Sequence, residues 1–242
     1  MPLSFLRKTP PSLPFTYELV RSPRRRSLSI EIAKASVVVR APHFVAISDI
    51  EKFVREKMDW VQHKLAHQEQ QLAKIPIYSF THGAQLPYLG RQVSLVVHKQ
   101  PRAEVVLYGD QLLVTLSTKS RLADEEQSRR LVCSWYQDQA LQLLTDKTDI
   151  AANRIGKKHR GVTVKATRSK WGHCTAQGAI QYNWQIVLAP ESIVDYLVAH
   201  EVSHLLHHNH SPAFWAVVAG LCPDYKKRRA WLKANGMQLM AL

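Results

Sequence analysis

Apolar and polar residues alternate in short runs near the start of the chain: Tyr17-Glu18-Leu19-Val20, Ser27-Leu28-Ser29-Ile30-Glu31-Ile32 and Ser36-Val37-Val38-Val39-Arg40. Alternation of period two buries one side of an extended segment, so residues 16–42 are expected to form a small antiparallel sheet. From Ser48 to about Leu72 the period lengthens, and Ile50, Phe53, Val54, Lys57 and Val61 fall on one helical face with Trp60 beside it. Strand-like runs return at 88–98, 103–108 and 111–116. A long helix is expected from about Asp124 to Asn153: acidic residues fill its first turn, where the helix dipole favours them, and Leu131, Trp135, Leu141 and Leu144 run along it. Strands are expected again at Val162–Ala166 and Ala179–Leu188, with Gly172 and Gly178 marking the loop between them. This is an α+β pattern with no sequence repeat: a strand-rich N-terminal region over 1–120, then a second region over 121–242.

The chemistry concentrates in His200-Glu201-Val202-Ser203-His204. Ser192 and Asp195 stand at capping-box spacing, and Ile193, Tyr196, Leu197, His200 and His204 follow at helical intervals, so the segment is expected to be helical. Histidines four apart on a helix share a face and can bind one metal ion, with Glu201 beside them facing a metal-bound water. Asn209-His210-Ser211-Pro212 reads as a turn into a further helix from about Ala213, with the last helical run continuing through Tyr225 to Asn235. A chain that turns there presents His210 from another direction, as a tetrahedral site with three protein ligands and an open position requires. His208 would continue the helical face of His204 and could be a ligand if the helix runs on; His210 is favoured, because a third ligand a turn further along the axis does not easily close a tetrahedron. His207 is expected in solvent or behind a ligand. Trp184, Phe214, Trp215 and Trp231 are expected to be core or pocket wall.

The charge widens the choice of partner. Over 242 residues the formal net charge is +14, with basic clusters at Arg24-Arg25-Arg26, Lys157-Lys158-His159-Arg160 and Lys226-Lys227-Arg228-Arg229, so a polyanion such as nucleic acid is a possible partner. No apolar run approaches the ~20 residues that span a bilayer, and Met1 to Lys8 lacks the apolar centre of a signal peptide, so the expectation is a cytoplasmic protein with no membrane partner. Cys133, Cys174 and Cys222 are widely spaced and odd in number, which argues against a disulfide framework.

Arg168-Ser169-Lys170-Trp171-Gly172-His173-Cys174, the strand Ile180-Gln181-Tyr182-Asn183-Trp184, the histidine motif with Asn209-His210-Ser211, Phe214-Trp215, Pro223-Asp224-Tyr225-Lys226 and Trp231-Leu232 together resemble the YgjP-like metallopeptidase domain family. The resemblance covers about residues 160–236. It implies a zincin-like C-terminal domain, an HExxH helix packed against a small sheet, and kinship with zinc hydrolases of the SprT-like and WLM types. It also implies His210 as third ligand. This chain has His173 where the family usually has serine, and Ser203 where it has an alanine-like residue.

The expected activity is zinc-dependent hydrolysis with one Zn2+ per chain held by His200, His204 and His210. Zinc lowers the pKa of its water toward ~7, and Glu201, the catalytic base, takes the proton and returns it to the leaving group. Arg168 and Lys170 are candidate oxyanion donors, and Asn183 a candidate substrate contact if the strand around Tyr182-Asn183 is the edge that pairs with extended substrate. A protein substrate makes the chain a metallopeptidase. A nucleotide substrate, with Arg168 or Lys170 gripping phosphate, makes it a metal-dependent phosphohydrolase of the nucleoside triphosphate pyrophosphatase type. A nucleic-acid-binding protein with a structural metal is the third reading, and the glutamate beside the ligands argues against it.

Overall fold

The structure is a computed structural model describing residues 6–8, 13–33, 36–73, 75–167, 169–240 and 242, and in it the alternating runs become strands and the longer-period runs helices. The chain divides into two compact units, Met1–Lys74 and Ile75–Leu242. In the first, β1 (Leu6–Lys8), β2 (Tyr17–Ser22), β3 (Ser29–Ala33) and β4 (Ser36–Pro42) form a sheet of order β1-β2-β4-β3, followed by α1 (Ile47–Glu56) and α2 (Met58–Leu72). Tyr17, Leu19, Val37, Val39, Ile50 and Val54 make its separate core. The sheet is mixed, not antiparallel as expected: β2 runs parallel to β4, with Leu19 opposite Val39. Alternation specifies which face is buried and leaves strand direction open. The expected single helix is broken at Lys57, which leaves helical geometry at φ −102° and ψ 8°.

The second unit opens with a sheet of the same plan. β5 (Gln85–Tyr88), β6 (Arg91–Gln100), β7 (Glu104–Tyr108) and β8 (Gln111–Ser117) lie in the order β5-β6-β8-β7, and β6 runs parallel to β8 between antiparallel outer pairs. One topology thus occurs twice without a sequence repeat. Leu86, Leu95, Leu112 and Val114 of this sheet share a core with Val132, Tyr136 and Leu144 of α3 (Asp124–Arg154). The compact units therefore part near residue 74, whereas the pattern alone sets a boundary at 120, because alternation does not reveal which helix covers an apolar sheet face. α3 stops where Gly156 takes φ +65°, a left-handed turn that lets Lys157 N–H donate back to Ala152 O at 3.0 Å.

A third sheet and three helices complete the unit. β9 (Gly161–Lys165), β10 (Gly172–Cys174) and β11 (Ala179–Asn183) lie in the order β10-β11-β9, so β11 is central. The run expected as strand as far as Leu188 turns at Trp184 into a buried 3-10 helix, Trp184–Leu188. α4 (Glu191–Ser203), α5 (Pro212–Leu221) and α6 (Tyr225–Leu239) follow. The capping box expected at the start of α4 does not form: Pro190 holds the N-cap without a side-chain bond. Lys147 of α3 instead draws in Asp195 and Glu191, each at 2.7 Å, and ties α3 to α4. Tyr182 and Thr148 join β11 to α3 through a buried hydroxyl pair at 2.9 Å. The described residues thus form a mixed α+β fold of six helices and three small sheets, with none of these helices long and apolar enough to cross a membrane.

Candidate metal centre

α4 is buried over most of its length, with Val194, Leu197, Val198 and Val202 in the core. It stops at Ser203, whose Oγ donates to Ala199 O at 2.7 Å, and His204 is the C-cap. The chain then reverses, and the Ser211 side chain accepts from Phe214 N–H at 3.4 Å, with Pro212 at the start of α5, where its missing N–H costs nothing. This turn returns His210 to the end of α4. One ring nitrogen each from His200, His204 and His210 lies within 4.8 Å of the others. His200 Nε2 and His210 Nε2 are 3.2 Å apart, near the roughly 3.4 Å between two nitrogens on one tetrahedral ion with bonds of ~2.1 Å.

The protonation of the rings suits a cation. His204 Nδ1 is 2.9 Å from His207 O, and since a carbonyl only accepts, Nδ1 carries the proton and Nε2 keeps its lone pair. His207 therefore contributes a backbone oxygen behind a candidate ligand. Burial, then the neighbouring His204, His210 and Arg229, push His200 down to about 3, and burial also lowers His204. Both rings are thereby biased to the neutral form that binds metal. Because α4 ends at Ser203, exposed His208 does not continue its face.

Phe214 forms the floor. It is fully buried, with ring centroids 5.0, 4.6 and 4.8 Å from those of His200, His204 and His210. Trp215 stacks on His210 at 5.8 Å and on Tyr225 at 5.2 Å, and the Arg229 guanidinium lies 4.8 Å above Trp215. Arg229, one of the basic run Lys226-Lys227-Arg228-Arg229, thus borders the histidines. Phe214→Ala is expected to cost about 3–5 kcal/mol in urea unfolding, and to weaken metal affinity by loosening all three rings. Unchanged affinity in a folded variant would remove Phe214 from the support of the site.

Glu201 sits beside this cluster, 3% exposed, with Oε2 buried and lacking a hydrogen-bond partner among the described residues. Burial pushes its carboxyl up to about 8, partly opposed by Lys170. β10 packs so closely here that a Cβ on Gly172 would lie 2.7 Å from Glu201 Oε1 and 2.8 Å from its Cγ. Such a carboxyl is costly to bury. A cation on the histidine nitrogens would offset that cost, so the three nitrogen donors and this orphaned oxygen fit a divalent metal.

Of the other candidates, Lys170 is exposed and near enough to act on Glu201, while Arg168 lies outside the described residues. Asn183 is fully buried: its Nδ2 donates to Thr167 O at 3.0 Å and its Oδ1 accepts from Gln185 N–H at 3.1 Å. Its carboxamide serves the chain's own turn, and since β11 is central, the edge strand beside α4 is β10. His173 on β10 is half-buried, with its pKa lowered by burial and by Lys170 and Lys165. The Cys174 thiol is pushed up to about 11 by burial and by Glu201, so it remains protonated and is a poor metal ligand. Phe214, expected as core or pocket wall, is the wall beneath the three rings, whereas Gly172 and Arg229 were not legible as parts of the site. A glycine opening a short run and an arginine within a basic cluster were the only signals for these two.

Three convergent imidazoles with a buried carboxylate beside them are the equipment of a metal-dependent hydrolase. The sequence model of the YgjP-like metallopeptidase domain matches residues 26–235, and the chain belongs to that family. The match begins well before residue 160 and takes in β3 and β4 of the first sheet and the whole of the second. No curated protein and no solved structure matches the chain.

Proposed function

We propose that the protein is a zinc-dependent peptidase of the zincin type, with zinc held by His200, His204 and His210 and with Glu201 as general base. The observation that carries this reading is the buried Glu201 carboxylate, unpartnered among the described residues and adjoining three convergent imidazole nitrogens. Zinc in such a site supplies Lewis acidity, which activates water and polarises the bond to be cleaved. Glu201 takes the proton of the attacking water and delivers it to the leaving amine; a cation on the histidines would favour its ionised, proton-accepting form, and its buried setting would favour passing the proton on. Lys170 contributes positive charge where an oxyanion develops, with Arg168 a candidate alongside it. The free edge of β10 aligns an extended substrate through backbone hydrogen bonds, the role first expected of the strand at Tyr182-Asn183.

A second reading, hydrolysis of nucleotide phosphates, draws on the cations at the site, Lys170 near Glu201 and Arg229 near His200. The +14 charge also keeps nucleic acid a proposed partner. Incubating the zinc-loaded protein with an unfolded protein and with a panel of nucleoside triphosphates separates the readings. New peptide termini support the first; phosphate or pyrophosphate release with intact protein overturns it in favour of the second.

A further inference from the structure

A cleft of about 430 Å³ opens beside the histidine cluster, with Trp171, Tyr196, Leu232, Met237 and Met240 as its apolar walls. It adjoins the proposed reaction centre through two contacts. Tyr196 stands one helical turn before His200 on α4, their rings 6.1 Å apart. Arg229, a further lining residue, covers the Trp215 ring that stacks on His210. Trp171 immediately precedes β10, the proposed alignment edge. Its indole can lie against α6 because residue 236 is glycine; a Cβ there would come within 3.0 Å of Trp171 Nε1.

We infer that this cleft is a substrate subsite that takes a large apolar side chain of an extended peptide flanked by acidic residues. Concave apolar walls with a few charged groups at the mouth are the general form of a binding pocket. Two flexible methionines let the walls adapt to aromatic or branched aliphatic side chains. Lys233 joins Arg229 on the lining, one turn apart on α6; both are exposed, and neither has a carboxylate partner among the described residues. Their unneutralised charge selects acidic flanks. A peptide paired with β10 projects alternate side chains to one side, which is how it would reach a cleft that begins at Trp171.

The inference rests on the peptidase reading, but it is tested by binding as well as cleavage. Short fluorescein-labelled peptides with central Glu-Phe-Glu, Glu-Ser-Glu and Lys-Phe-Lys are titrated into zinc-loaded protein carrying Glu201→Gln, and are also offered to the wild type as substrates. Glu-Phe-Glu should bind about tenfold or more tightly than either of the others: over Glu-Ser-Glu by burying one aromatic side chain, over Lys-Phe-Lys by placing carboxylates rather than ammoniums beside Arg229 and Lys233. The double variant Arg229→Ala/Lys233→Ala should lose the preference for Glu over Lys and keep that for Phe over Ser, and Met237→Glu at the exposed mouth should weaken the Glu-Phe-Glu peptide selectively. No binding, or binding indifferent to Phe, overturns the subsite, as does a Glu preference that survives the double variant. Preferential binding without cleavage supports the subsite and removes the peptidase reading; cleavage without preference does the reverse.

Discussion

Glu201→Gln should lower hydrolysis by about 10²- to 10⁴-fold while metal content and fold are retained, because the amide keeps the shape of the side chain and cannot accept a proton. The side chain is buried and its carboxyl already sits near neutral pKa, so replacing it with a neutral group introduces no new desolvation cost. The same substitution has a second signature in the metal-free protein. Glu201 has its pKa raised from 4.5 to about 8 by burial, so in this range the folded state holds a proton that the unfolded state releases. Its contribution to stability is full below about 4.5, declines as pH rises and is lost above about 8. Buried His200, lowered to about 3, opposes this trend below about 6.5, so urea unfolding of the metal-free wild type should show the decline between about 6.5 and 8, and Glu201→Gln should flatten it. Turnover equal to wild type on any substrate would remove Glu201 from the mechanism.

Gly172→Ala should damage the reaction nearly as severely without touching a metal ligand. The added Cβ would meet Glu201 at Cγ, Cδ and Oε1, all within 2.8 Å, so the whole carboxylate must move, not only its tip. Glu201 has no solvent to swing into, being 3% exposed. A displacement of about 1 Å in a reacting group can cost about 10²-fold in rate, and a loss of that order is expected with zinc affinity unchanged. Activity within about twofold of wild type, in the same metal and substrate, would show that β10 does not position the carboxylate.

Much of the site was legible because it is local. His200, Glu201 and His204 share one helical run, and the Asn209-His210-Ser211-Pro212 turn announces both a reversal and a new helix, so three residues brought together in space were already readable in a stretch of eleven. What was not legible depends on partners distant in sequence. Asp195 looked like half of a capping box, and Lys147, 48 residues away, takes it instead. Asn183 looked free to meet substrate until Thr167 and Gln185 used up its carboxamide. Gly172-His173-Cys174 is too short to show alternation, so β10 read as loop, and its close approach to Glu201 could not be foreseen from either segment alone. The mixed sheets escaped for a different reason: parallel and antiparallel strands with one buried face carry the same alternation.

The claim on which the rest depends is that His200, His204 and His210 hold one catalytic metal. Its most direct test is the zinc content of purified protein after equilibration with zinc and removal of the excess, for the wild type and for His200→Ala, His204→Ala, His210→Ala and His208→Ala. About one zinc per chain is expected in the wild type and in His208→Ala, and loss of tight binding in each of the other three. A wild type that retains no zinc, or a His210→Ala protein that keeps its zinc while His208→Ala loses it, would contradict it.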